Sequence, residues 1–260
     1  MNTSLSLFLF ITLNISHVIS QQNLNTPTGS NGYVSVAEFM SRNRRFASKT
    51  NPSVFEATRN GQTPSAYFIG CSDSRVPLTK IFRSGIGEIF ESRNIANQFN
   101  PNNSESVSAL GYAVKVLNVP QVVVVGHEGC GGCAYALEHA MLESEGRSKP
   151  VSTDWTSELN TFTDPIKLLA QGRVLQRGGK FQHHDQRKSL DFAEVTMTPN
   201  EQQLSSLIEV NVQSQVRKIA ESQIVRSAWA EGKQLSLHGL VYNVNNGQVR
   251  SVVSWTGNNS

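Results

Sequence analysis

Short apolar strands that alternate with amphipathic helices are the feature of this sequence that most restricts its fold. Three runs rich in β-branched and aromatic residues are predicted strands: Ser65–Gly70, Gly87–Ser92 and Val119–Gly126. Between the last two runs, apolar residues recur at helical spacing, at Val107, Leu110, Val114 and Leu117. Because crossover helices of this kind cover both faces of a parallel sheet, we predict an α/β fold with an open, mainly parallel central sheet.

The last part of the chain predicts a helix followed by a hairpin. A helical pattern with one apolar side begins at Pro199, a residue type favoured at the first position of a helix. Two β-rich runs, 235–244 and 248–255, then flank the pair Asn246-Gly247, which is typical of a type I′ turn. We therefore expect a C-terminal strand or hairpin at the edge of the sheet.

The composition along the chain predicts one main domain. At 260 residues the chain is long enough for a single sizeable α/β domain, which we place at 34–260. Residues 1–20 are predicted to be a signal peptide, and the polar residues 21–33 a flexible lead-in. The polar stretch 143–189 is expected to be an insert at the surface, with one short helix around 164–170.

The N-terminus indicates export. Its first 20 residues contain no charged side chain, and the apolar stretch Leu5–Leu13 suits the core of a secretory signal cleaved near Gln21. We expect a secreted protein, in which Asn102 and Asn258 would each begin a glycosylation sequon. Exported chains usually pair their cysteines, so an odd total of three suggests that some sulfurs have another role.

Charge and hydropathy argue against two classes of partner. The net charge is only +3, and no block of lysine and arginine interleaved with aromatic residues is present, so we expect no nucleic-acid partner. A membrane-spanning helix needs about 20 apolar residues, and we find no such segment in the predicted mature chain.

Potential metal ligands follow two of the predicted strands directly. The first strand leads into Cys71, and the third leads into His127 and Cys130. In an open parallel sheet, ligands bind at the carboxyl ends of the strands, so neighbouring strands would bring these three side chains together. Two thiolates and one imidazole form three corners of a tetrahedral Zn²⁺ site and leave the fourth open, which is typical of a catalytic zinc.

The spacing of Cys130 and Cys133 supports a second interpretation. A Cys-x-x-Cys pair at the start of a helix after a strand is also the pattern of a thiol-disulfide oxidoreductase, which would need both thiols exposed. If the following residues are helical, Cys133 shares a face with Ala136, Leu137 and Ala140 and would pack inward. The redox interpretation also leaves Cys71 without a role.

Asp73 and Arg75 lie close to the first predicted metal ligand. The carboxylate can accept a bidentate hydrogen bond from Arg75, which would keep it ionised and orient it toward a water activated by the metal. It can instead bind the metal and close the fourth position. Both arrangements use the same two residues, so the sequence leaves them open.

These segments together resemble the β-class carbonic anhydrases. The motif "CSDSRVP" from Cys71 is followed by "FESRNIAN" and then by "GHEGCGGC", in the order and spacing typical of that family. The resemblance covers most of the chain from about residue 34. It implies that Cys71, His127 and Cys130 bind one zinc ion per subunit, and that Asp73 and Arg75 are a catalytic pair.

The resemblance also implies a function and an assembly. The expected reaction is the reversible hydration of CO₂ to bicarbonate and a proton, in a homodimer or a dimer of dimers. In one form of the family the aspartate, here Asp73, is the fourth zinc ligand and the site is closed; a catalytically silent, zinc-binding relative would stay in that form. Arg93 and Asn94 are expected to brace the site or the subunit interface.

Three residues depart from the usual pattern. Ala96 stands where many relatives carry glycine, Glu128 lies between the predicted ligands, and Cys133 adds a thiol close to them.

Overall fold

The computed structural model describes residues 32–147, 156–171 and 199–256. The predicted signal peptide lies outside these residues, as do most of the lead-in and residues 148–155 and 172–189 of the insert. The chain divides into two compact units, with the boundary between Arg59 and Asn60.

The described residues of the N-terminal unit form two helices, α1 (Val36–Lys49) and α2 (Pro52–Thr58). Each starts at a polar cap, as helices do when a side-chain oxygen accepts a free backbone N–H: Ser35 caps α1 and Asn51 caps α2. The rings of Phe46 and Phe55 meet edge to face, 6.2 Å apart between centroids. No residue of either helix is buried.

The larger unit is built on a five-stranded sheet. Its strands are β1 (Ala66–Cys71), β2 (Ile89–Asn94), β3 (Gln121–His127), β4 (Ser236–Tyr242) and β5 (Val249–Thr256). The order is β2-β1-β3-β4-β5, in which the first four are parallel and β5 is antiparallel at the edge. The predicted open, mainly parallel sheet with a terminal hairpin is therefore confirmed.

The turn of the hairpin differs from the prediction. A type I′ turn needs positive φ at both central residues, but in this loop only Gly247 has one, at 74°. The N–H of Gly247 donates to the carbonyl of Asn243, and the N–H of Asn243 donates to the carbonyl of Gln248. The connection is thus longer than two residues, and the type I′ assignment is wrong.

Helices cover the sheet. They are α3 (Leu78–Ile81), α4 (Ser104–Gly111), α5 (Gly131–Ser144), α6 (Thr156–Leu169), α7 (Pro199–Glu221) and α8 (Gln223–Ala230). α4 continues into a π-helical turn at Tyr112–Val116, so the predicted helix between the second and third strands is present. The helix predicted from Pro199 also begins at that residue. No helix among the described residues is sufficiently long and apolar to span a bilayer.

The described part of the insert contains a longer helix than predicted. Instead of a short helix around 164–170, α6 extends over Thr156–Leu169. Ile166 and Ala170 have no exposed surface and belong to the main hydrophobic core. The sequence contained a signal that we did not use, because apolar residues recur at helical spacing at Leu159, Phe162, Ile166 and Leu169. Pro165 interrupts this pattern and is typical of a helix boundary, but here it lies inside the helix.

The long helix α7 packs closely on β3 and β4. A Cβ at Gly126 would lie 2.5 Å from Cγ2 of Val212, and a Cβ at Gly239 would lie 2.7 Å from Cγ1 of the same valine. Glycine is needed at both positions because a side chain would push the helix away from the sheet. This close contact fixes the end of β3, where His127 follows Gly126.

Candidate metal centre

The structure brings together the three residues that the sequence predicts as metal ligands. Cys71 ends β1, His127 ends β3, and Cys130 lies just before α5. Because β1 and β3 are parallel neighbours, their carboxyl ends meet at one edge of the sheet. The two Sγ atoms and the imidazole nitrogen all lie within 4.8 Å of one another, and the three residues are buried.

His127 is oriented by a hydrogen bond to the backbone. Its Nδ1 lies 3.0 Å from the carbonyl oxygen of Glu128. A carbonyl only accepts, so this contact places the proton on Nδ1 and leaves a lone pair on Nε2. Nε2 is buried and has no hydrogen-bond partner among the described residues. A buried nitrogen of this kind is what a metal ion would satisfy.

The two thiols require a nearby positive charge to ionise. The hydrogen bond that Cys71 donates to Cys130 keeps the proton on Cys71 and, together with burial, raises the pKa of Cys71 to about 12. The pKa of Cys130 is raised too, mainly by its contact with Cys133 and further by burial. A bound cation would reverse this preference, because a coordinating thiol loses its proton. Two thiolates and one imidazole are a donor set that suits Zn²⁺.

Asp73 lies next to this cluster and is held by Arg75. Nε and Nη2 of the guanidinium donate to the two carboxylate oxygens over 3.0 and 2.7 Å, and the backbone N–H of Arg75 adds a third hydrogen bond. The arginine lowers the pKa of Asp73 to about 2, so the carboxylate is ionised. Its Oδ2 lies 3.8 Å from Nε2 of His127. Arg75 also donates to the carbonyl of Gly129, which connects the two metal-binding loops.

Arg93 holds the loop that carries Cys71 and Asp73. From the end of β2, its Nε and Nη2 donate to the carbonyl of Cys71 over 2.9 and 2.8 Å, and Nη2 also donates to the carbonyl of Asp73. Asn94 acts on the next loop, where its side chain exchanges two hydrogen bonds with the backbone of Gln98. Arg93 therefore braces the ligand loop, as the resemblance led us to expect, whereas the side chain of Asn94 braces the neighbouring loop at Gln98.

A buried polar cluster supports the loop behind the site. Ala96 and Asn97 both have positive φ, at 58° and 50°, which explains the preference for glycine at the first position. The side chains of Gln98 and Asn211 donate to the carbonyl of Ala96, and Gln215 binds both of them. The sequence contained one signal of this cluster that we did not use: Asn211 and Gln215 interrupt the apolar side of α7 at i, i+4 spacing.

Cys133 packs into the core, as predicted. It is 1% exposed and shares its side of α5 with the buried residues Ala136, Leu137 and Ala140. All three cysteines are free thiols, and Cys130 is also only 1% exposed. The thiol-disulfide interpretation needs an accessible pair and is not favoured by this arrangement.

Comparison with known proteins agrees with the geometry of the cluster. A family model described as carbonic anhydrase matches residues 66–249. A carbonic anhydrase of Emericella nidulans is 30% identical over 202 residues, which span 78% of this chain and 75% of that protein. Among solved structures, a Coccomyxa β-carbonic anhydrase in complex with acetazolamide has a TM-score of 0.69 at 25% identity, covering 86% of this chain and 89% of the other.

A tetrameric β-carbonic anhydrase from Sordaria macrospora has a TM-score of 0.65 at 25% identity, covering 84% of this chain and 96% of the other. The family match spans most of the chain, and the fold and the Cys-His-Cys cluster agree with it. This chain therefore belongs to the carbonic anhydrase family, and within it to the β class.

Proposed function

We propose that Cys71, His127 and Cys130 bind the one zinc ion of each subunit, at which the chain hydrates CO₂ reversibly to bicarbonate and a proton. The observation that carries the assignment is the convergence of three buried ligand atoms, one of them a ring nitrogen without a partner among the described residues. A zinc ion held there by three protein ligands supplies Lewis acidity, which lowers the pKa of a water molecule to about 7.

Asp73 and Arg75 are proposed to be the catalytic pair. The ionised carboxylate can only accept hydrogen bonds, and its Oδ2 faces the ligand cluster. From there it would accept a hydrogen bond from a reacting water and orient a lone pair of that water toward CO₂. Arg75 fixes the carboxylate in this position through three hydrogen bonds.

The same hydrogen bonds favour an open site over a closed one. To become the fourth metal ligand, Asp73 would have to turn away from the guanidinium of Arg75, and so lose a bidentate contact between two charged groups. This loss disfavours the catalytically silent alternative, in which the site stays closed.

We also propose that the protein is secreted after removal of residues 1–20. The uncharged, apolar N-terminus supports this, and the burial of Cys133 would protect its thiol in an oxidising compartment. Asn102 is exposed and accessible to glycosylation, whereas Asn258 lies outside the described residues. N-terminal sequencing of protein from the culture medium should begin at about Gln21; a cell-retained protein with an intact Met1 would contradict the proposal.

We propose that the subunits form a homodimer or a dimer of dimers. Two β-carbonic anhydrases of Sordaria macrospora are described as tetrameric. In this chain, α1 exposes large apolar side chains, including Phe39 at 56% and Met40 at 57%, which a second subunit would cover.

Zinc uptake by the zinc-free protein should release about two protons at pH 7, because Cys71 and Cys130 have raised pKa values and bind metal as thiolates. Calorimetry in buffers of different ionisation enthalpy measures this number. The variant Cys71→Ser should release fewer protons and bind zinc more weakly. Release close to zero in the unsubstituted protein would show that the thiols are not ligands.

The substitution Asp73→Asn should lower CO₂ turnover by about 100-fold or more while zinc remains bound, because it removes the positioned acceptor but none of the three ligands. Stopped-flow hydration and zinc analysis of the same sample measure the two effects. The matched control is Asp164→Asn, at an exposed acid on α6, which should have normal turnover. Normal turnover in Asp73→Asn would exclude the proposed role.

Sedimentation should give the mass of two or four chains. Replacing Phe39 and Met40 together by glutamate should shift the protein toward the single-chain mass, since charges would disrupt an apolar contact. Lys49→Glu adds negative charge to the same helix and should leave the assembly intact. A single-chain mass for the unsubstituted protein at micromolar concentration would contradict the assembly.

A further inference from the structure

Glu128, which lies between the predicted ligands His127 and Cys130, makes contacts that the catalytic scheme does not use. Its side chain is only 14% exposed. Its Oε1 accepts hydrogen bonds from Nη2 of Arg250 at 2.9 Å and from Oγ of Ser205 at 3.2 Å. A carboxylate in such an environment stays buried only because a cation and a hydroxyl satisfy it.

Arg250 joins three parts of the fold at this point. It lies on the edge strand β5, and its Nη1 contacts Oε1 of Glu209 on α7 at 2.6 Å. Ser205 is one helical turn before Glu209 on the same helix. One guanidinium therefore connects the metal-binding loop, the long helix and the terminal hairpin. It balances two carboxylates that are 14% and 12% exposed.

These contacts fix the group that orients His127. The carbonyl oxygen of Glu128 accepts the hydrogen bond from Nδ1 of His127, and the N–H of Glu128 donates to the carbonyl of Tyr242 over 2.9 Å. The backbone of Glu128 is thus held by β4 and its side chain by Arg250. A ligating histidine depends on the group bound to its other nitrogen, which sets both its ring orientation and its tautomer.

We propose that Glu128 and Arg250 are positioning residues for His127, through which the terminal hairpin helps the protein to retain zinc. This inference rests on the proposed zinc site. Neither residue is expected to contact the substrate. Loss of their ion pair would let the carbonyl of Glu128 move and would weaken the orientation of the imidazole.

The test compares zinc release from purified, zinc-loaded variants into an excess of a chromogenic chelator. Glu128→Ala and Arg250→Met should each release zinc about 10-fold faster than the unsubstituted protein, as is typical when a group behind a metal ligand is removed. Glu128→Gln keeps the size of the side chain and should have a smaller effect. Arg147→Met removes an exposed ion pair with Glu145, outside the contacts of the metal-binding loop, and should release zinc at the normal rate.

Thermal unfolding separates positioning from a general loss of stability. A purely structural role would lower the unfolding temperature of the zinc-free and zinc-loaded forms equally and leave zinc release unchanged. A positioning role should reduce the rise in unfolding temperature that zinc produces. If Glu128→Ala does not fold, Glu128→Gln and Arg250→Met decide the result.

Zinc content and CO₂ hydration of the unsubstituted protein are measured in parallel. Normal zinc content and activity, with release unchanged in every variant of Glu128 and Arg250, would overturn this inference and leave the proposed function intact. An unsubstituted protein that binds no zinc would overturn both.

Discussion

The parallel pairing of β1 with β3 is the constraint on which the site depends. The register aligns Gly70 with Val125, so the next residues of each strand emerge side by side at the same edge of the sheet. Cys71 comes directly after Gly70 and is the last residue of β1, and His127 lies two residues after Val125 at the end of β3. A shift of one residue would turn His127 to the other face of the sheet, because side chains alternate along a strand. The apolar contacts that fix the register, such as Val212 against Gly126, therefore also position the ligands.

Around this edge, arginines hold the backbone where it leaves the strands. Arg93 binds the carbonyls of Cys71 and Asp73, Arg75 joins Asp73 to Gly129, and Arg250 binds Glu128. A guanidinium suits this task because its donors are rigidly spaced and its charge is permanent. The loops thus have few conformations available to them, although they have no regular secondary structure of their own. The geometry of the site is set before any substrate arrives, which is what a catalytic centre requires.

The sequence was sufficient to predict the central sheet and the three metal ligands, because each of them follows from a local pattern. An apolar strand that runs directly into a cysteine or a histidine identifies both the strand and the position of the side chain. The prediction of the hairpin turn was wrong for a local reason as well. The pair Asn246-Gly247 is favourable for a type I′ turn, but the backbone hydrogen bonds that close the loop are made by Asn243. The contact between Glu128 and Arg250 joins residues 122 positions apart, and nothing in either local sequence indicates the other.

The length of α6 was missed because Pro165 lies inside the helix, where a proline is typical of a helix boundary, although apolar residues recur there at helical spacing. The ligand cluster would be energetically unfavourable without a cation. A buried nitrogen without a hydrogen-bond partner costs about 1–3 kcal/mol, and burial favours the protonated form of both thiols. A zinc ion removes both problems at once, so its binding energy adds to the stability of the fold. The fold, in turn, limits the access of oxidants to Cys130 and Cys133, because each is only 1% exposed and Cys133 packs on the core side of α5.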